Sequence, residues 1–244
     1  MNRFILLLGA CMLLLSTTIA TAAELKVATS TWPPYVDKNL EKNGLAVHIA
    51  MTALERAGHT PVLKIESWPR TLQGVNVGVY DVIAAAWYSD ERAQAFTFSK
   101  PYLVNQIKFI KRKGAPIQFN SLADLKGRTI GIVQNYAYGA EFDQASGLIK
   151  IATNHVIQNL LRLSQGQIDL TLDDERVLHH ELKQYMSQTA DQFEILPKPL
   201  SENGLHIAVS KKNPAHKEIA AAFEKAIDKM KADGTYKAII DLHD

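Results

Sequence analysis

The sequence has almost no cysteine. Among its 244 residues, Cys11 is the only one, and it lies in an apolar stretch near the amino terminus that runs from Phe4 to Leu15. A chain that loses this stretch has no thiol, so it can enter an oxidising compartment without disulfide errors. Its stability must then come from packing and hydrogen bonds alone.

Long apolar runs are also scarce, and the first 23 residues contain the strongest one. Arg3 is their only charge, and small residues (Ala20 to Ala23) end the segment. This order is typical of a secretory signal peptide, and the apolar part is shorter than the roughly 20 residues that span a bilayer. We expect residues 1–23 to be removed on export, without lipid attachment at Cys11.

The sequence shows no strong excess of either charge. The formal net charge is +2, and charged residues make up 21% of the chain. The densest basic group, Lys108 with residues 111–113, is typical of a solvated strand end. We expect no nucleic-acid partner, because such a partner needs a concentrated basic face.

Familiar catalytic and metal-binding motifs are missing. The chain contains no G-x-S-x-G, P-loop, G-x-G-x-x-G or H-E-x-x-H, and the adjacent His179 and His180 would lie on different faces of a helix. The pairs Asp90-Glu91 and Asp173-Asp174 could serve acid–base chemistry, but carboxylates at helix N-termini are commoner. We predict no catalytic residue, no metal site and no cofactor.

Short apolar runs alternate with helical patterns along the rest of the chain. The predicted strands are 25–30, 62–67, 79–87, 129–133, 148–152, 168–172, 193–196 and 205–210. The predicted helices are 45–57, 69–77, 136–145, 154–164, 175–186 and 214–234. Such alternation favours parallel sheets with right-handed crossovers, and it predicts an α/β fold with two doubly wound lobes.

Two stretches of the sequence match each other. Residues 78–81 (G-V-Y-D) lead into an apolar strand and then D-E-R at 90–92, and residues 166–169 (G-Q-I-D) lead into another and then D-E-R at 174–176. We interpret the repeat as two lobes of similar topology. Ligands of open α/β sheets bind beyond the carboxyl ends of the strands, where Arg92 and Asp174 would lie, one in each lobe.

The last predicted strand and helix return the chain to the first lobe. The predicted first lobe is therefore discontinuous, made of residues 24–110 and 205–244, and the second lobe is 111–204. The crossing segments near 107–114 and 200–206 are predicted hinges.

All three tryptophans precede residue 90 and lie near predicted strand ends. We assign Trp32 to the core of the first lobe. Aromatic faces beside a buried arginine would suit a small zwitterion or cation, which makes Trp68 and Trp87 candidates for a binding site.

Several motifs together resemble one known family. They are W-P-P-Y at 32–35, S-D-E-R at 89–92, F-T-F-S-K-P-Y at 96–102, S-L-A-D-L-K-G-R-T-I-G at 121–131, G-Q-I-D-L-T-L-D-D at 166–174 and K-A-D-G-T-Y-K-A-I at 231–239. In this order, the chain resembles the extracellular solute-binding proteins of the polar amino-acid type, which feed bacterial ABC importers. W-P-R at 68–70 is similar to a W-x-R subgroup.

The resemblance implies a fold, a location and partners. The fold is a type II periplasmic-binding-protein fold, in which two α/β lobes joined by two strands close on a ligand. The partners are a small-molecule ligand, namely an amino acid or a related small carboxylate or amine, and an inner-membrane ABC permease. We expect a periplasmic monomer.

The resemblance also implies a set of ligand-binding residues. Arg92 would clamp a carboxylate, and Asp174 would receive an amino group. The remaining predicted contacts are the aromatic side chains of Tyr35 and Trp68, the backbone of Ala85, Ala86 and Trp87, a second-lobe segment at Asn135 and Tyr136, and Arg70, which could instead pair with a nearby acid.

Two positions depart from the family pattern. Trp87 stands where a hydroxyl residue is usual, five positions before the arginine. Tyr136-Ala137 replaces a Gly-Thr pair at a predicted helix start, where backbone N–H groups could still bind an anion. Both changes leave the ligand open.

Two alternative functions also remain open. One is an exported dehydratase-like enzyme on the same fold, with Asp173 or Glu175 as its acid. The other is a ligand-sensing partner of a membrane receptor.

Overall fold

A computed structural model describes residues 24–244, so the predicted signal peptide lies outside the described residues. The strands are β1 (Glu24–Ser30), β2 (Thr60–Glu66), β3 (Val82–Trp87), β4 (Phe96–Phe98), β5 (Leu103–Arg112), β6 (Thr129–Val133), β7 (Ile149–Thr153), β8 (Leu170–Asp174), β9 (Phe193–Ile195) and β10 (Ser201–Ser210). The helices are α1 (Leu45–Arg56), α2 (Trp68–Val77), α3 (Asp90–Ala95), α4 (Ala140–Gln144), α5 (Val156–Ser164), α6 (Glu175–Tyr185), α7 (His216–Ala232) and α8 (Thr235–His243). None of these helices is long and apolar enough to cross a membrane.

The strands form one curved mixed sheet in the order β2-β1-β3-β10-β5-β8-β6-β7, with β4 on β10 and β9 on β5. In the half that we call the first lobe, β1 is parallel to β2 and β3. In the second lobe, β6 is parallel to β7 and β8 in the same arrangement. The predicted α/β fold of two doubly wound lobes is confirmed.

Two long antiparallel strands join the lobes. Residues 103–107 of β5 pair with residues 201–205 of β10, and residues 107–111 pair with β8 of the second lobe. Strand β10 also pairs with β3 of the first lobe. The chain therefore passes between lobes inside continuous strands, while the predicted lobe boundaries at residues 110 and 205 stay predictions.

The repeated G-x-x-D segments have equivalent roles in the two lobes. The Asp81 carboxylate accepts a hydrogen bond of 2.9 Å from the backbone N–H of Lys26, at the start of β1. The Asp169 carboxylate accepts one of 2.8 Å from the backbone N–H of Thr129, at the start of β6. Each aspartate thus ties the entry of the third strand of its lobe to the first strand.

Several predicted boundaries are wrong. The predicted strand 205–210 begins four residues earlier because residues 201–205 pair with β5, and the strand predicted from residue 79 begins at Val82. The helix predicted over 136–145 is the short α4, because residues 134–135 form a turn with Asn135 in the left-handed region (φ 63°) and residues 136–139 are irregular. The strand β4 and the helices α3 and α8 were not predicted, and of β5 only a strand end near Lys108 and residues 111–113 was expected.

Candidate functional site

A small cavity lies at the carboxyl ends of β1 and β3, where the two lobes meet. Its volume is about 30 Å³, enough for one or two water molecules. Its walls are formed by Thr29, Ser30, Trp32, Val36, Trp68, Ala85, Ala86, Trp87, Arg92, Tyr136 and Leu205. A larger molecule can therefore enter this cavity only if the lobes or their side chains separate.

Arg92 lies in the first turn of α3, directly after β3. Its guanidinium donates to the backbone carbonyl oxygens of Trp87 at 2.6 Å and of Asn135 at 2.5 Å, and it lies 5.1 Å from the centre of the Trp68 ring. Within the described residues, no carboxylate lies within the 4.0 Å that defines an ion pair with it. Burial lowers its pKa to about 10, so at neutral pH it is a cation with only neutral hydrogen-bond acceptors.

The carbonyl of Asn135 connects the two lobes. It accepts the second Arg92 bond and also a bond of 3.0 Å from the indole N–H of Trp68. The left-handed backbone at Asn135 is one that asparagine tolerates better than most residues. The adjacent N–H of Tyr136 donates to Val133. The predicted helix start at Tyr136 is therefore wrong, while the binding of an anion by backbone N–H groups of this segment stays a prediction.

Aromatic side chains from both lobes fill the cleft. Tyr136 of the second lobe packs edge-on against Trp87, with ring centres 5.3 Å apart, and against Trp68 at 6.0 Å. Trp32 packs edge-on against Trp87 at 5.5 Å. Trp32 belongs to the buried core, as predicted, but it also lines the cavity. Burial raises the pKa of the Tyr136 hydroxyl well above its ordinary value, so this side chain stays neutral.

Asp174 lies at the end of β8 and caps α6. Its carboxylate accepts hydrogen bonds from the hydroxyl of Tyr35 (2.9 Å), the side-chain amide of Asn105 (3.1 Å) and three backbone N–H groups, those of Gln106, Arg176 and Val177. Both of its oxygens are in use. An ammonium group could reach Asp174 only by displacing one of these donors, so its predicted role in binding stays a prediction.

Arg92 and Asp174 do not line the same cavity. They are linked indirectly, because the indole N–H of Trp87 donates to Asn105 at 2.9 Å and Asn105 donates to Asp174. Asn105 is fully buried on β5. Asn105 was not predicted as a site residue, and a polar residue in the middle of an apolar strand is the signal that could have revealed it.

The remaining predicted residues are divided between the cavity and its surroundings. Tyr35 is buried outside the cavity, stacked on Trp32 at 4.5 Å. The Arg70 side chain is 80% exposed, 3.9 Å from the carboxylate of Glu66, which agrees with the alternative that it pairs with an acid. The predicted residues that line the cavity are Trp68, Ala85, Ala86, Trp87, Arg92 and Tyr136.

The sequence analysis also missed Thr29, Ser30, Val36 and Leu205 as cavity-lining residues. Thr29 and Ser30 end β1, and the rule that ligands lie beyond the carboxyl ends of parallel strands could have identified them. Val36 and Leu205 carry no comparable signal in the sequence.

Comparison with known proteins gives one family. Residues 25–243 match the family described as bacterial extracellular solute-binding proteins, family 3. The chain is 27% identical over 227 residues to the putative ABC transporter arginine-binding protein 2 of Escherichia coli (strain K12), which covers 90% of each chain. It is 25% identical to the L-cystine-binding protein of the same strain, over 86% of this chain and 77% of that protein.

Solved structures agree on the fold. An ancestral arginine-binding protein bound to glutamine superimposes with a TM-score of 0.74 and 26% identity, covering 91% of this chain and 97% of the other. The similarity thus extends over both lobes and both connecting strands.

Proposed function

The chain belongs to family 3 of the bacterial extracellular solute-binding proteins, and from this premise we propose that its solute is an amino acid or a closely related small molecule with a carboxylate. The carboxylate binds Arg92 in the cleft between the lobes. The named relatives support this ligand class, since they are described as binding arginine and L-cystine.

The observation that carries the proposal is the position of Arg92 among neutral acceptors. The guanidinium is half-buried and has carbonyl oxygens on two sides, while Asp143 and Glu91 affect its pKa only from farther away. An ionised partner forms a stronger bond with a guanidinium than a carbonyl does, and two carboxylate oxygens match its planar edge. A ligand carboxylate would therefore replace the Asn135 carbonyl.

Closure of the cleft follows from the same contacts. The carbonyl of Asn135 holds the lobes together through Arg92 and Trp68. A ligand that contacts Arg92 and the second lobe at once stabilises the closed state through bonds that the open state cannot make. The aromatic rings of Trp68, Trp87 and Tyr136 would then surround the rest of the ligand.

We further propose that the closed protein delivers its solute to an inner-membrane ABC permease. The relatives named as ABC transporter proteins support this partner. Residues 1–23 would serve as the signal peptide that takes the chain to the periplasm, where it would act as a monomer without a cofactor. The same relatives make a sensory role the less favoured alternative.

We propose that the protein binds its solute without transforming it. Of the two acids considered for catalysis, Glu175 is ion-paired with Lys108 at 2.8 Å. Asp173 lines a different cavity from Arg92, and one of its oxygens accepts hydrogen bonds from Trp32 and from the backbone N–H of Asp174. A bound solute recovered unchanged after long incubation would support this view, and turnover would contradict it.

The test starts with a thermal-shift screen of the common amino acids, small amines and small carboxylates. A ligand at 100 times its dissociation constant stabilises the fold by about 2.7 kcal/mol, which such a screen detects. The dissociation constant of the best ligand is then measured by calorimetry for the wild type and for Arg92→Ala. We expect the variant to bind about 100-fold more weakly or worse, because the carboxylate loses a bidentate, charge-assisted partner.

Arg176→Ala is the matched control. Arg176 occupies the first turn of α6, as Arg92 does in α3, but it is exposed and ion-paired with Asp244 at 2.9 Å. Its removal should change affinity by less than about threefold. Equal affinities for the wild type and Arg92→Ala would show that the carboxylate does not bind at Arg92. If only compounds without a carboxylate stabilise the protein, the proposed ligand class is wrong.

A further inference from the structure

A second cavity lies on the other side of Trp32 and Tyr136, which line both cavities. Its volume is about 270 Å³, far larger than the 30 Å³ of the first cavity. It lies between the loop after β1 and the helices α5 and α6 of the second lobe. Exposed Thr31, His155 and Tyr185 line it together with buried residues, so it is open to solvent.

Two of the buried side chains that line this cavity are carboxylic acids. Asp173 is fully buried and Glu181 is 5% exposed. One Asp173 oxygen accepts bonds from the indole N–H of Trp32 (3.1 Å) and the backbone N–H of Asp174 (2.7 Å). The other oxygen, and one oxygen of Glu181, have no hydrogen-bond partner among the described residues.

No cation of the described part of the chain neutralises these acids, since neither forms an ion pair within 4.0 Å. Buried carboxylates without a partner are costly, and such groups hold a proton instead. Burial raises the pKa of Asp173 to about 8, with a further contribution from Asp174 and Glu181. Burial and Asp37 raise the pKa of Glu181 to about 7. The acids are therefore poised to ionise when a positive group enters.

We propose that Asp173 and Glu181 form a second subsite that binds a cationic group of the solute, an ammonium or a guanidinium. The solute is then a basic amino acid or a close analogue with a positive side chain. This inference rests on the proposed function, because it leaves the carboxylate of the solute to Arg92.

The arrangement of the two cavities supports a ligand that spans them. Trp32 and Tyr136 line both cavities and separate them, so a ligand that spans the cavities would have to turn these two side chains. Their aromatic faces would flank the stem of the ligand and can themselves attract a cation. An organic cation fits better than a metal ion, since residues 24–244 contain no group of three or more His, Cys, Asp or Glu side chains placed to hold a metal.

The test compares L-arginine with L-citrulline, which have nearly the same shape but differ in one positive charge. Calorimetry on the wild-type protein should give at least about tenfold tighter binding of L-arginine, because a buried carboxylate discriminates strongly between a guanidinium and a neutral urea group. In the double variant Asp173→Asn with Glu181→Gln, the two dissociation constants should become equal within about threefold. Glu91→Gln, which removes an exposed acid beside Arg92, is the matched control and should keep the preference.

Proton release provides a second readout. Binding of a cation should ionise the two acids, so L-arginine should release protons near pH 7, measured in two buffers of different ionisation enthalpy. The double variant should lose this release. Other titratable side chains near the acids are Asp37, Asp174, Tyr136, His155 and Tyr185. These side chains remain in the double variant, so any proton release that the variant still shows comes from them and not from Asp173 or Glu181.

The outcomes distinguish this inference from the proposed function. Equal binding of L-arginine and L-citrulline by the wild type, or a preference that survives in the double variant, would overturn the second subsite. If both compounds still require Arg92, the proposed function stands. Agmatine, which lacks the carboxylate, tests the second subsite alone. If it binds tightly and its binding depends on Asp173 but not on Arg92, the second subsite is supported and the carboxylate site at Arg92 is overturned. Lack of binding by all three compounds would overturn the inference.

Thermal unfolding checks that the variants fold. Both substitutions replace a buried acid by a neutral side chain of the same shape, so we expect the melting temperature to stay within a few degrees of the wild type. If the double variant does not fold, the two single variants should each reduce the preference for L-arginine. An unchanged preference in both would contradict the subsite.

Discussion

The junction between β3 and α3 in the first lobe and the junction between β8 and α6 in the second have the same topology but opposite electrostatics. The first helix is capped by the neutral hydroxyl of Ser89, and Arg92 in its first turn meets only carbonyl oxygens. The second helix is capped by the carboxylate of Asp174, which accepts five hydrogen bonds. One junction presents an unneutralised cation to the cleft, and the other uses its acid to hold the structure together.

The difference separates two neighbouring acids that look alike in the sequence. Successive side chains of a strand point to opposite faces. Asp174 faces the connecting strand and Tyr35, whereas Asp173 faces Trp32 and the second cavity. The residue that the family resemblance pairs with Arg92 is fully bonded, and the residue before it has the free oxygen.

The largest expected effect comes from removing the two helix caps. Asp174→Ala leaves the Tyr35 hydroxyl, the Asn105 amide and three backbone N–H groups without their acceptor, so we expect a loss of about 3 kcal/mol or more in the free energy of unfolding. Ser89→Ala removes a single bond of 3.2 Å to the N–H of Arg92 and should cost about 1 kcal/mol. Urea denaturation of both variants measures the difference. Equal losses would mean that Asp174 is not a structural centre.

The two G-x-x-D aspartates should show an intermediate and nearly equal effect. Asp81→Ala and Asp169→Ala each remove a charged acceptor from a backbone N–H at a strand start, which should cost about 1.5–3 kcal/mol. Asp81 also accepts a bond of 2.9 Å from Asn213, so its variant should lose slightly more. Neither variant should alter the dissociation constant of the solute once folded. A loss in only one lobe would argue against the structural repeat.

The smallest expected effect is a pH-dependent gain in stability from Asp173→Asn. The pKa of Asp173 is raised in the folded state from 3.8 to about 8, so between these values the folded state keeps a proton that the unfolded state has lost. The wild type therefore loses stability as pH rises through this window, by at most about 1.4 kcal/mol per pH unit for this group. We expect the variant to gain roughly 1 kcal/mol on the wild type between pH 6 and pH 7.

Thermal unfolding of both proteins across this pH range measures that gain. Asp90→Asn, at an exposed acid that bonds the hydroxyl of Tyr88, is the control and should show no such trend. A constant difference between the wild type and Asp173→Asn would indicate that Asp173 has an ordinary pKa.

Local patterns were sufficient for some elements of the first lobe. Pro69 near the start of α2 and Gly78 at its end, where φ is 83°, bound a helix that was predicted nearly to the residue. Residues 136–139 were wrongly predicted as helical because Tyr136 has a helical neighbour pattern, whereas in the structure the carbonyl of Asn135 just before them accepts bonds from the other lobe. Arg92 was predicted from its place after a repeated strand, but its lack of an acidic partner depends on residues distant in the sequence.

The sequence by itself determined the class of the protein. The alternation of strands and helices, the repeated G-x-x-D segments and the ordered motifs each depend on residues close together in the chain. At that range, the spacing of apolar residues and the chemistry of turns act locally. The tertiary structure alone decided which charged groups of the cleft have hydrogen-bond partners. A carboxylate is satisfied or free according to which donors the folded chain brings within about 3 Å of it. That is why Asp174 is engaged by Tyr35 and Asn105, Arg92 meets only carbonyls, and one oxygen of Asp173 has no partner.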